Sequence, residues 1–315
     1  MDQTTRILNQ VLPILLLIGL GALLRSAKTI SDSAAEDLKK IIVNTALPSV
    51  LFLAFLRMEL KTEYLALFFG FFTLCVLLLL LGKALRPALG RGHEYFPFMA
   101  TGFEYGMLGV SLIGSAYGIE AIGYSAIIAL GHEIFIWFVF VPLLLSKRDG
   151  ITRPRELMRV FFTAPVILGI LSGIALNLLG LSETLETLPA TGAVLKTLAF
   201  LSNLTVPLIL IVVGHTLRLH GGMLKEALPL VSLRFILLIP LALAINTYVL
   251  RGLLHLARPF EVAFFTIVIL PAPFIIPLFM KNSAEMEAEK TWVTNTLTIN
   301  TIISIAVFAV YLSLL

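Results

Sequence analysis

The chain has little of what a soluble protein carries on its surface. Of its 315 residues only 13% are charged, about half the usual share, and 58% are hydrophobic, with a mean hydropathy of +0.99. These values exclude water as the solvent for most of the surface. The single cysteine, Cys75, excludes an intramolecular disulfide. The net charge of +4 does not indicate a nucleic-acid partner, because the basic residues lie between apolar runs.

The apolar residues come in runs long enough to cross a membrane, and the connections between them are too short for a soluble domain. About 18 to 25 residues are needed to cross a hydrocarbon core of roughly 30 Å, and a span must be helical because backbone groups in lipid have no water to bond. The sequence therefore predicts an all-α integral membrane protein. Ten transmembrane helices are expected at 7–24, 40–56, 64–85, 96–116, 121–145, 161–180, 199–217, 228–250, 260–280 and 292–314.

The basic residues between the spans indicate how the protein is oriented. With alternate connections grouped together, 16 lysines and arginines fall on one side, including those of the linker 147–159, and 6 on the other. Positive residues accumulate on the cytoplasmic side of membrane proteins. We therefore expect a multi-pass protein of the cell membrane with the basic linker in the cytoplasm and both termini outside.

Two spacings recur in the same order in both halves of the chain. A proline is followed eight residues later by a glycine in span one, at 13–21, and in span six, at 165–173. An asparagine precedes a proline by four residues in span two, at Asn44–Pro48, and in span seven, at Asn203–Pro207. The shared order indicates an internal repeat.

Five spans precede the basic linker and five follow it. An odd number of spans per copy forces the two copies into opposite orientations, and inverted repeats are typical of secondary transporters. We therefore predict a first five-helix repeat at 1–146, a basic cytoplasmic linker at 147–159 and a second, inverted five-helix repeat at 160–315.

Spans four and nine have the poorest helix chemistry. Span nine reads LPAPFIIP over 270–277, and each proline in a helix interior costs roughly 3 kcal/mol. Span four reads TGFEYGMLG over 101–109, where Gly102 and Gly106 allow an unwound segment. We predict discontinuous helices whose half-helix N-termini offer N–H groups to a bound anion near the membrane midplane. In span four the glycines are equally consistent with close helix packing.

Ionisable residues occur within the predicted spans, where each costs roughly 2.5–3.5 kcal/mol unless it faces a cavity or a partner. Glu104 lies in the break of span four, and His132 and Glu133 lie mid-way along span five. They could bind a cation such as Na⁺ or carry a proton, or they could form structural pairs with neighbouring helices. His215 is less deep, and Arg234 could pair with a substrate carboxylate or extend to the headgroups.

Uncharged polar residues mark two further candidate regions. Polar side chains share one face of span ten, and they could line an aqueous path or bond to backbone carbonyls one turn back in the same helix. They are Thr291, Thr294, Asn295, Thr298 and Thr301. Asn295 is a candidate for ion or proton coupling. Asn44 and Asn203 lie one turn before their prolines, where each amide could satisfy freed carbonyls or reach into the binding site.

The chain resembles a known family at two of these motifs. The stretch ISDSAAEDLKKIIVNTALPSVLF at 30–52 resembles the auxin efflux carrier family, in which an acidic, serine-bearing lead-in precedes an Asn-x-x-x-Pro second span. The stretch VPLILIVVG at 206–214 resembles the proline and late glycine of that family's seventh span. The similarity extends over the whole chain, although these motifs cover a small part of it.

The resemblance implies an organic-anion carrier of malate, malonate or auxin-like carboxylates with ten helices in two inverted repeats. It implies alternating access, coupled to H⁺ or Na⁺, in which spans 3–5 and 8–10 move against spans 1, 2, 6 and 7, and it is also consistent with a homodimer. Asn44 and Asn203 are expected near a substrate site at the crossing of the broken spans, which comprises Phe103, Glu104, Tyr105, Gly106, Pro271, Ala272, Pro273 and Phe274.

The chain departs from that family in span four, which has no central proline and carries Glu104. An anionic substrate then requires this carboxyl to be protonated or neutralised by a bound cation. Bile acid:sodium symporters are similar in layout and use acidic crossover residues for Na⁺. Na⁺ at Glu104, and a bile-acid-type symporter, therefore stay open.

The sequence gives weaker support to other function classes. A channel needs a continuous polar pore, for which the polar face of span ten is the one indication. His132 and Glu133 are not followed by the second histidine of an H-E-x-x-H zinc site, and no phosphate loop, catalytic serine–histidine set or cofactor fingerprint is present. We expect no enzymatic activity, cofactor or resident metal. A ligand sensor on the same scaffold would bind without transport.

Overall fold

In the computed structural model, residues 3–59, 61–149, 159, 162–217, 224–281 and 283–314 are described. Over these residues the protein contains helices and turns and no strand. Within this part of the chain, six helices are long and apolar enough to cross a membrane, at Asp32–Arg57, Tyr64–Leu89, Ala121–Arg148, Pro189–Thr216, Lys225–Arg251 and Glu287–Leu314. Two shorter apolar helices are Leu12–Ser26 and Pro165–Leu178. The protein is therefore an all-helical, multi-pass membrane protein.

The helices of the described residues are numbered in chain order. They are α1 Gln3–Ser26, α2 Asp32–Ile41, α3 Leu47–Arg57, α4 Tyr64–Leu89, α5 Phe96–Ala100, α6 Val110–Tyr117, α7 Ala121–Phe135, α8 Val141–Asp149, α9 Pro165–Leu178, α10 Ser182–Thr187, α11 Pro189–Thr216, α12 Leu224–Ala244, α13 Arg258–Val268 and α14 Glu287–Leu314. Wider π-helical turns occur at Ile42–Ala46, Tyr105–Gly109, Ile136–Phe140 and Ile245–Arg251, and 3₁₀ turns at Ile276–Phe279 and Ala284–Met286.

The chain forms two compact units that alternate along the sequence. The first unit contains 1–61, 106–126 and 159–217, and the second contains 62–105, 127–158 and 218–315. Predicted spans 1, 2, 6 and 7 thus belong to the first unit and spans 3, 8, 9 and 10 to the second, which is the grouping expected from the family resemblance. Span five lies mostly in the second unit, and span four is divided between the two.

Two helix pairs form the centre of the first unit, α1 with α11 and α3 with α9. Their backbones approach closely because glycines face the partner helix. A Cβ atom on Gly173 of α9 would lie 2.6 Å from the Phe52 carbonyl oxygen, and Gly21 of α1 faces Ile211 with even less space. Small residues at helix contacts are typical of membrane proteins, where packing drives helix association.

Each of these pairs is closed by a side chain that bonds the end of the other helix. Arg25 of α1 donates to the carbonyls of His215 and Leu217 at 2.7 and 2.6 Å. Asn177 of α9 donates to the carbonyls of Phe55 and Met58 at 2.8 and 2.6 Å. The last carbonyls of a helix have no partner within it, so such contacts stabilise the helix end.

The acidic lead-in of the family-like motif has a local structural role in the same unit. Ser31 precedes α2, and its hydroxyl accepts a hydrogen bond from the Ala34 N–H at 3.1 Å. Asp32 lies in the first turn, where the positive end of the helix dipole favours an acidic side chain. This part of the motif therefore reflects helix capping.

The second unit contains both interruptions predicted from the sequence. In span four, α5 ends at Ala100, residues 101–104 leave the helix, and helical structure resumes at Tyr105. In span nine, α13 ends at Val268, and a 3₁₀ turn begins only at Ile276. Pro271 and Pro273 lie in that gap, as expected for residues that cannot donate to a helix.

Candidate functional site

The two interrupted segments meet inside the second unit. The Glu104 N–H donates to the Pro271 carbonyl at 2.8 Å. The Glu104 carboxyl group in turn accepts a hydrogen bond from the Phe274 N–H at 2.6 Å. Glu104 therefore joins the two breaks through its backbone and through its side chain. The Phe274 N–H lies in the break where N–H groups of a half-helix were expected to meet a bound anion, and it faces the protein's own carboxyl group.

Gly102 lets the segments approach this closely. Its φ of +70° is in the left-handed region that residues with a side chain rarely adopt. A Cβ atom there would lie 2.9 Å from Cγ and 3.0 Å from Cδ of Pro273. The glycine of the first break is thus matched to a proline of the second.

Arg234 of α12 binds the backbone of both breaks. Its guanidinium donates to the carbonyls of Met99, Gly102 and Leu270, each at 3.0 Å. The side chain is buried, with 4% of the residue exposed, so it does not extend to the headgroups. The guanidinium carbon also lies 5.3 Å from the centre of the Phe103 ring, within range of a cation–π interaction.

The charges in the site follow the polarity of the broken helices. Met99 and Leu270 lie at or just beyond the C-terminal ends of α5 and α13, where unpaired carbonyls carry partial negative charge. Arg234 supplies the positive charge there. Glu104 supplies a carboxyl oxygen as the acceptor for the Phe274 N–H, just before the next helical turn. Both ends of the interruption are therefore balanced by side chains of the protein.

His132 and Glu133 lie beside the first break. The Nε2 atom of His132 accepts a hydrogen bond from the Phe103 N–H at 2.9 Å, which leaves Nδ1 to carry the proton of a neutral ring. Nδ1 lies 3.4 Å from an oxygen of Glu133. His132 is buried, while the Glu133 side chain keeps 18% of its surface exposed. Glu133 thus contacts His132 and keeps part of its side chain exposed.

The remaining predicted residues of the second unit, Tyr105, Ala272 and Asn295, are buried. Tyr105 and Ala272 directly follow Glu104 and Pro271 and are inaccessible or nearly so. Asn295 is fully buried in α14 of the same unit. The structure thus brings Phe103, Glu104, His132, Pro271, Pro273 and Phe274 together through direct contacts.

Asn44, Asn203 and Gly106 belong to the first unit. Asn44 lies in the π-helical turn Ile42–Ala46, and its amide donates to the Lys40 carbonyl at 2.8 Å, one turn back in its own helix. Both asparagine side chains are exposed. Their part in a substrate site stays a prediction.

The polar face of span ten is partly accounted for by its own helix. Thr291 and Thr301 donate to the carbonyls of Glu287 and Leu297, each four residues back. This is the structural alternative considered for the threonines. His215, in the first unit, has a partner distant in the chain, because its Nε2 lies 3.0 Å from the Ile30 carbonyl oxygen.

Asn300 is a candidate that sequence reasoning missed. It is 1% exposed, and neither polar atom of its amide has a hydrogen-bond partner among the described residues. One turn further along α14, Ser304 donates to the Ile269 carbonyl at 2.6 Å, next to the second break. Asn300 lies off the threonine face of the predicted span, although an asparagine within an apolar span is a signal by itself.

Comparison with known proteins places the chain among transporter-like proteins in general. No family model matches it. The chain is similar to a protein of Methanothermobacter thermautotrophicus named "Uncharacterized transporter", with 28% identity over 257 residues. The match covers 77% of this chain and 80% of the relative.

Proposed function

We propose that the protein is a secondary transporter that carries a small organic anion by alternating access, coupled to an ion gradient. The observation that carries the proposal is the contact between two interrupted helices through Glu104, Pro271 and Phe274. Irregular backbone in a membrane protein is tolerated only where it is buried in protein or lines a cavity, and paired broken helices are the usual substrate site of secondary transporters. Similarity to a relative named as a transporter supports the same class.

The two proposed inverted repeats, 1–146 and 160–315 around the linker 147–159, are supported by the first unit. In span one, Gly21 faces the partner helix and Arg25, four residues later, bonds its end. In span six, Gly173 faces the partner helix and Asn177, four residues later, bonds its end. Matching positions of the two copies thus perform matching tasks in separate helix pairs. A cytoplasmic linker and external termini follow from the basic residues.

Glu104 supplies a means of coupling in this proposal. Its carboxylate and a substrate carboxylate compete for the Phe274 N–H, because both are negatively charged hydrogen-bond acceptors. Protonation removes the charge of Glu104 and lowers the barrier for an anion to approach that N–H. The charged or titratable groups around it are Arg234, His132 and Glu133. Malate, malonate and auxin-like carboxylates are the proposed substrate class.

The proposal is tested with purified protein in liposomes. Uptake of labelled malate, malonate and indole-acetate is measured under separately imposed H⁺ and Na⁺ gradients. The Glu104→Gln variant is expected to lose the acceleration by a gradient, because a permanently neutral side chain cannot be switched by a proton. Glu133→Gln is run in parallel. Glu186→Gln, which alters an exposed pair with Arg57, is the matched control and is expected to transport like wild type.

The other function classes predict different results. Uptake that ignores both gradients and both variants would indicate a uniporter and remove the coupling role of Glu104. Conductance that rises in proportion to ion concentration without saturation would indicate a channel. If no substrate moves but a carboxylate still raises the melting temperature, the protein is a ligand sensor and the transport proposal is wrong.

A further inference from the structure

The carbonyl cluster around Arg234 has the chemistry of an alkali-cation site. Three carbonyl oxygens, from Met99, Gly102 and Leu270, converge within 3.0 Å of one guanidinium. Met99 lies in the last turn of α5, while Gly102 and Leu270 lie in the unwound segments that follow α5 and α13. Unwound carbonyls near helix C-terminal ends are the usual ligands of coupling Na⁺ in transporters. Hard oxygen ligands of this type bind hard cations. The position is therefore one where a carrier can hold Na⁺.

In this protein the position is already filled by a side chain. Arg234 remains protonated under all ordinary conditions, and it is nearly fully buried. A buried cation inside a membrane protein is costly unless groups of opposite charge surround it. The partial negative charges of the three carbonyl oxygens provide that compensation. A Na⁺ ion at the same carbonyls would add a second positive charge where one is already balanced.

We propose that Arg234 is a resident cation that takes the place of a coupling Na⁺ at the contact of the two broken helices, so that the protein works independently of Na⁺. The part concerning transport rests on the function proposed above. The part concerning ion binding does not, because the carbonyl cluster exists whether or not a substrate is carried. The gradient that drives transport is then one of protons.

The test uses the binding of Na⁺ alone. Purified wild type, Arg234→Ala and Arg234→Lys are heated in NaCl or in choline chloride at equal ionic strength. Unfolding is followed with a thiol-reactive dye, since Cys75, the single cysteine of the chain, is fully buried. Wild type and Arg234→Lys are expected to melt at the same temperature in both salts. Arg234→Ala is expected to be less stable and to gain a Na⁺-specific rise of at least about 2 °C, because the vacated carbonyls can bind the ion.

Each outcome decides the proposal. A Na⁺-specific rise in wild type would overturn it, as would a Na⁺ gradient that accelerates uptake by wild type in liposomes. An Arg234→Ala protein that ignores Na⁺ would show that the carbonyls form no cation site and would also overturn it. If Arg234→Ala cannot be purified, Arg234→Ser is substituted, and the wild-type comparison still decides. Failure of transport with every substrate would refute the proposed function and leave these melting data standing.

Discussion

Replacing Gly102 with alanine perturbs the contact between the broken helices at its tightest point. Two costs follow from the structure. A residue with a side chain at φ +70° costs roughly 1–2 kcal/mol, and a Cβ atom 2.9 Å from Pro273 adds about 1–3 kcal/mol of overpacking in a well-packed interior. The variant is therefore expected to lose about 2–5 kcal/mol of unfolding free energy and most of any transport activity.

Two control variants separate these costs. Gly92 has a φ of +86°, but a Cβ atom added there would have no neighbour within 4 Å, so Gly92→Ala carries the backbone cost alone. Gly82 lies in regular helix, and a Cβ atom there would lie 2.9 Å from Ala100, so Gly82→Ala carries a packing cost alone. Dye labelling of Cys75 during heating reports unfolding of all three. The reasoning is refuted if Gly102→Ala melts no lower than Gly92→Ala.

Two further substitutions test other features of the second unit. Asn300→Leu removes two buried polar atoms that have no hydrogen-bond partner among the described residues, and burying each such atom costs about 1–3 kcal/mol of stability. The variant is therefore expected to raise the melting temperature while slowing uptake. A lower melting temperature would show that the amide has a structural partner. The Lys147 ammonium, 2.6 Å from Glu94, lowers the pKa of that carboxyl, so the pair stabilises the protein above the ordinary carboxyl pKa and less as the pH falls through the folded value. Glu94→Gln is expected to lower stability by at most about 1 kcal/mol at pH 7, because the pair is partly exposed, and the difference from wild type should shrink as the pH falls through the lowered pKa of Glu94. A difference that grows on acidification would contradict this assignment.

The helical membrane class and the interruptions could be predicted because their causes are local. A run of apolar residues excludes water wherever it lies, and Pro271 and Pro273 deny hydrogen bonds to the turn in which they stand. Gly102 can adopt a positive φ because it has no Cβ atom, and its observed φ is positive. The helix cap at Ser31 likewise depends only on residues close in the chain.

The partners of the buried polar residues could not be predicted, because they are distant in the chain. Arg234 bonds Met99, 135 residues away, and Glu104 bonds Phe274, 170 residues away. From the sequence, Arg234 was expected to pair with a substrate carboxylate or to extend to the lipid headgroups, and backbone carbonyls were not among the expected partners. The type of a side chain determines which hydrogen bonds it can make. The packing of the helices determines which groups lie close enough to make them.

The amino-acid sequence by itself therefore determined that this is a helical membrane protein in which span nine cannot run unbroken, while the glycines of span four allow a break without requiring one. Hydropathy and proline chemistry act over a few residues, so a linear reading suffices for both. The tertiary structure decided that the breaks meet and that the Glu104 carboxyl group accepts the hydrogen bond of the Phe274 N–H. It also decided that Arg234 donates to the carbonyls of both breaks, which are groups suited to bind a cation. Those outcomes depend on distances between segments far apart in the chain, which no local pattern specifies.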